Sequence, residues 1–143
     1  MKAEEVNIYR EIQRSTEMAI KAIDTISDKV YDDGLSMQIA RQSLKYSDLR
    51  GRAVDKLLQA KAQPYQSNHL ADMMLAGGIH SRTLLNTSTS HIAELMIRGS
   101  NRGITEMCKA LNHNPGAGQA ATEFAKELMA FEERNIERLK KYL

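Results

Sequence analysis

Candidate ligands for a metal or a proton lie scattered along the chain, and their spacing decides what they can do. His91 and Glu94 stand three residues apart, as do His69 and Asp72, so either pair can share one face of a helix. His80 and His113 stand alone. A zinc site needs several converging protein ligands, and no zinc spacing is present, so the histidines read as solvated helix-edge side chains. The single Cys108 cannot form an internal disulfide and fits a reducing compartment. It falls on a stripe with Ile104, Met107 and Leu111, which predicts a small buried apolar group. The absence of a GxSxG, CxxC, P-loop or dinucleotide fingerprint argues against catalysis.

Polar residues that interrupt apolar stripes are a second class of candidate, because burying them demands partners. Thr16, Gln42, Tyr46 and Asn135 do this, and counting outward from the turns sets Thr16 near Tyr46 and Asn135 near Glu94. A central polar layer of Thr16, Tyr46, Glu94 and Asn135 is expected, serving to fix helix register. Gly99 and Gly103 form a GxxxG spacing, which predicts a close approach by a neighbouring helix. Arg41, Lys45, Arg52 and Lys56 lie near one helical stripe, a basic face suited to an acidic partner and otherwise solvated.

These residues need helices to position them, and the chain supplies helices. Prolines number two and glycines eight in 143 residues, tryptophan is absent, and helix formers abound. One domain spanning 1–143 is expected from the length. From Glu4 to Val30 the residues Ile8, Ile12, Ala19, Ile23, Ile26 and Val30 recur at steps of three, four and multiples of them. Asp32, Asp33 and Gly34 supply a turn and an N-cap. A second stripe follows through Leu35, Ile39, Gln42, Tyr46, Leu49, Ala53 and Leu57, with Pro64 expected to end the helix near Gln63. The segment from Ser67 to Leu84 reads as an additional short helix or as the first half of a bent third helix. Asn86 to Ser90 form a break, and the third principal helix runs through Ile92, Met96, Gly99, Gly103 and Met107 to a stop at Asn112–Gly116. The last begins near Gly118 and presents Ala121, Phe124, Leu128, Phe131, Asn135, Leu139 and Tyr142 inward. Four stripes with polar connections predict an all-α antiparallel bundle.

The run AFEERNIERLKKYL resembles the last helix of ferritin-like and rubrerythrin-like proteins, where an ExxH pair binds iron; Glu132 and Asn135 stand at the corresponding positions. SHIAELMIRGSNRGITEM and SLKYSDLRGRAVDKLL are similar to segments of small bacterial ferritin-like families. The resemblance implies a ferritin-like four-helix bundle in which Glu17, Glu94 and Glu132, with His91, are remnants of a metal site. Such a site takes one Glu from each of two helices and an ExxH pair from each of the other two. Helix two, from Gly34 to Gln63, contains neither Glu nor His, and Asn135 replaces the other His. The site is therefore degenerate, and no cofactor is expected.

A net charge of +2 does not advertise nucleic acid. No apolar run reaches the roughly 18 residues of a membrane span. The start MKAEEVNIYR lacks the apolar core of a signal peptide, so a cytoplasmic location is expected. The leading functional expectation is a non-catalytic bundle that acts by protein interaction or as a homo-oligomer. A divergent metal or redox bundle using the carboxylates, and a binder of acidic partners through the basic face, are its competitors.

Overall fold

The computed structural model describes residues 1–68, 73–79 and 86–143. His69, Asp72 and His80 lie outside the described residues. Four long helices carry the fold: α1 (Ala3–Ile26), α2 (Asp33–Gln59), α3 (Thr89–His113) and α4 (Gln119–Leu139). Among the described residues there is no strand, so the chain is all-α.

Each helix is set by its stripe. Every residue of the α2 stripe, from Leu35 to Leu57, is buried. On α4 the stripe from Ala121 to Leu139 is buried as well, joined by Ala125 and Glu132. The α1–α2 hairpin turns through a 3-10 segment, Ser27–Lys29, after which Asp32 caps α2 by accepting a hydrogen bond from the Leu35 N–H at 2.8 Å. Ser88 caps α3 by accepting from the His91 N–H at 3.2 Å. Residues 73–79 are helical, and the non-helical residues 86–88 precede α3.

α2 ends earlier than proline alone requires. Lys61 takes a left-handed conformation with φ of 56°, the Ala62 N–H reaches Leu57 O at 2.9 Å and the Lys61 N–H reaches Leu58 O at 3.0 Å. That pair of bonds satisfies the last carbonyls in a Schellman motif, so the helix closes at Gln59 rather than at Gln63.

Contacts between helices fix their directions. Glu17 pairs with Arg50 across the α1–α2 hairpin, and Arg10 donates to Gln63 O just beyond the end of α2. Asn7, near the start of α1, donates to Asn114 just after α3. The ends of α2 and α3 therefore lie together and the two helices run in the same direction, so the end of α2 and the start of α3 are a bundle length apart. That length is about 40 Å at 1.5 Å per residue. Arg52 with Glu127 and Tyr46 with Glu132 show α4 running antiparallel to α2.

Candidate functional site

One carboxyl group is drawn into the centre of the bundle. Glu132, which the ferritin-like resemblance sets down as a metal-site remnant, is only 2% exposed. Tyr46 of α2 donates its hydroxyl to Glu132 Oε1. Ser100 Oγ of α3 and Asn135 Nδ2, one turn along α4, reach the same oxygen at 3.4 and 3.5 Å. Asn135 Nδ2 also lies 3.3 Å from the Tyr46 hydroxyl, and the Tyr46 ring meets Phe131 edge-on at 4.9 Å.

Burial governs the protonation of this cluster. Loss of hydration raises the Glu132 carboxyl to about 7, against the opposing pull of the hydrogen bonds from Tyr46, Asn135 and Ser100. Burial, followed by the neighbouring Glu132 charge, pushes Tyr46 well above its ordinary value, so it remains a hydrogen-bond donor. Among the described residues none of the ion pairs includes Glu132.

Glu132 borders a cavity of about 250 Å³ between α1 and α3. Its walls are mostly apolar, with Met18, Ala19, Ala22 and Ile26 from α1, Leu95 and Met96 from α3, and Leu75 and Ile79 from the 73–79 segment. Gly99 and Gly103 line the same space. Nothing lies within 4 Å of a Cβ placed on Gly99, and the atoms nearest to a Cβ on Gly103 belong to the Glu132 carboxyl and, at 3.6 Å, to Ser15 Oγ. The GxxxG spacing thus opens a space instead of bringing two backbones together.

Of the residues expected in the polar layer, Tyr46 and Asn135 meet each other, whereas the expected pairs are Thr16 with Tyr46 and Asn135 with Glu94. Thr16 is buried, but its hydroxyl is spent within α1, donating to Ile12 O at 2.8 Å or Gln13 O at 2.9 Å. Glu94 lies at the periphery, paired with Arg98 at 2.6 Å, with His91 Nδ1 3.8 Å away. Ser100 and Glu132 take the places assigned to Thr16 and Glu94. Gln42 is buried with neither amide atom hydrogen bonded among the described residues.

The remnant ligands do not assemble. Glu17 accepts from Arg50 and from Gln13, each at 2.9 Å, on the α1–α2 side. Among the described residues no three His, Cys, Asp or Glu side chains converge as a cation site. Cys108 is exposed, 3.6 Å from Met129 Sδ, because its position on α3 turns past the core edge that Met107 occupies.

Half of the basic face is spoken for. Arg52 grips Glu127 through two bonds of 2.7 and 2.9 Å and lies 4.5 Å from the Phe124 ring centre, and Lys45 stands 3.5 Å from both Asp48 and Glu127. Arg41 is exposed against Met37 Sδ, and Lys56 is exposed. No helix among the described residues is long and apolar enough to cross a membrane. Neither a family model, nor a curated protein, nor a solved structure matches the chain.

Proposed function

We propose that the chain is a ferritin-like bundle without an iron centre, which works without catalysis by pairing with a second copy of itself through the outer face of α2. The kinship is supported by the helix directions, two antiparallel pairs, α1 with α2 and α3 with α4, in which α2 and α3 run parallel. The degenerate metal site is supported by the separation of Glu17, Glu94 and His91 from Glu132.

The observation that carries the pairing is a second stripe on α2, opposite the core. Met37, Ala40, Leu44, Ser47, Gly51, Val54 and Leu58 alternate at steps of three and four, the spacing of a coiled-coil seam. Met37, Leu44 and Leu58 are 58, 74 and 57% exposed, which is a cost in water that a partner removes. The flanking charges suit a copy of the same surface. Arg41 and Asp55 border the seam on one side at opposite ends, so a two-fold crossing sets Arg41 of each copy toward Asp55 of the other. A helix pair built this way uses no residue of the central cluster.

Sedimentation equilibrium tests the reading. The expected species is twice the 16.1 kDa chain mass. Leu44→Glu is expected to return it to the chain mass while the helical signal is unchanged, since an exposed substitution perturbs the fold by no more than about 0.5 kcal/mol. A protein at chain mass at every concentration, or a dimer indifferent to Leu44→Glu, overturns the pairing. A full equivalent of iron, manganese or zinc that disappears in Glu132→Ala overturns the metal-free part.

A further inference from the structure

The cavity between α1 and α3 has a chemistry of its own, independent of the outer face of α2. Its walls, from Met18, Ala22, Leu75, Ile79, Leu95 and Met96, offer an organic body nothing but apolar contact. At its inner end stands Glu132, a buried carboxyl whose hydrogen bonds from Tyr46, Ser100 and Asn135 all converge on Oε1. Oε2 receives none of them and lies under Gly103, where only the missing side chain leaves it room. Glu132 lines the cavity, so a donor that arrives with a ligand meets in Oε2 an acceptor that the three donors on Oε1 leave unused.

We propose that this cavity binds a small organic amine, its apolar body between α1 and α3 and its ammonium group on Glu132 Oε2. The size fits: an apolar protein cavity of about 150 Å³ accommodates benzene, and this one is about 250 Å³, room for a benzene ring bearing a short aminoalkyl arm. A cation is favoured over a neutral donor because no Lys, Arg or His among the described residues pairs with Glu132, so the ligand supplies the missing charge. The arginines at the rim do not reverse this preference. Arg14 is held by Glu11, Arg98 is held by Glu94, and Arg102 is exposed, where solvent screens its charge.

Occupancy should respond to pH. The groups facing Glu132 are Tyr46 from α2, Asn135 from α4, Ser100, Arg98, Arg102 and Glu106 from α3, and Arg14 and Ser15 from α1, while Leu75 and Ile79 add no charge. Among these groups the Glu132 carboxyl sits at about 7. Affinity for an amine therefore rises from pH 6 to pH 8 as that carboxyl ionises.

Calorimetry and thermal melting of the full chain at pH 8 test the assignment with phenethylamine, 2-phenylethanol and 3-phenylpropanoate. Phenethylamine is expected to bind and to raise the melting temperature, the alcohol to bind at least about tenfold more weakly, and the acid not to bind. Glu132→Gln, which keeps the shape of the cluster, is expected to bring the amine down to the level of the alcohol. Ala22→Phe, which fills the apolar end and leaves Glu132 intact, is expected to abolish both. Equal binding of all three probes means that the cavity selects only apolar bulk and overturns the proposal. So does an amine affinity untouched by Glu132→Gln, or no melting shift with millimolar phenethylamine.

Discussion

Two stretches of α4, five residues apart, place the same carboxyl group in opposite surroundings. At Glu127 the neighbouring helix delivers an arginine: Arg52 arrives from α2 with both guanidinium donors, its hydrogen bonds hold the carboxyl below its ordinary value, and the site stays partly hydrated. At Glu132 the neighbours deliver a phenol, a hydroxyl and Gly103, and the carboxyl is raised to about 7. Sequence position on α4 does not separate them. What separates them is what α2 and α3 carry at the same height, so one Glu ties two helices together at the surface and the other is held inside, where burial favours its protonated form.

The largest expected effect of breaking this contrast is on Glu132. Its folded-state carboxyl is raised, so the folded protein holds a proton that the unfolded chain releases near 4.5. The associated stability is fully present below about 4.5 and is lost as pH rises through about 7. Glu132→Gln removes the penalty, and at pH 8 it should stabilise the protein by as much as ~3 kcal/mol while having little effect near pH 4.5. Urea unfolding of both proteins at several pH values checks this. A gap that stays constant or narrows with rising pH shows that the carboxyl is ordinary.

At Glu127 the sign reverses. Its carboxyl is lowered first by the hydrogen bonds from Arg52, so the stability it lends is present above the unfolded value of 4.5 and is lost as pH falls through the lower folded value. Both side chains are more than a third exposed, at 43 and 37%, and solvent screening leaves the pair worth about 1 kcal/mol at most. Arg52→Leu should cost that much at pH 7, including its contact with the Phe124 ring, and the carboxyl resonance of Glu127 should titrate at higher pH. A Glu127 titration unmoved by Arg52→Leu shows that the two groups are independent.

How far the sequence foretells this arrangement depends on whether one helix or two are needed to decide it. The α2 stripe and the Asp32 cap are properties of a single helix, and the structure reproduces them residue for residue. So is the inward face of α4 that carries Asn135. Lys61 was less legible, because a left-handed cap on a lysine leaves no compositional mark of the kind glycine leaves. Glu132 is named from the sequence only as a metal-site remnant and not as a member of the polar layer, because its burial depends on α3 presenting Ser100 and Gly103 instead of bulky side chains. The signal was available as the GxxxG spacing, whose small residues imply space as readily as contact. Glu94 was overestimated for the converse reason, since its own periodicity allows an inward position but Arg98, one turn along, keeps it at the surface.

The smallest effect divides the contrast within the buried cluster itself. Ser100 gives Glu132 Oε1 a long hydrogen bond of 3.4 Å that favours the ionised carboxyl, and it is the last of the three donors in strength. Ser100→Ala should therefore move the Glu132 titration upward from about 7. It should cost roughly 0.5 kcal/mol at pH 8, where the carboxylate is charged, and almost nothing at pH 5, where the proton already satisfies it. Carboxyl-detected NMR of Glu132 reads the titration directly, and unfolding at the two pH values reads the cost. An equal loss at both pH values assigns Ser100 to packing alone and leaves the carboxyl to Tyr46 and Asn135.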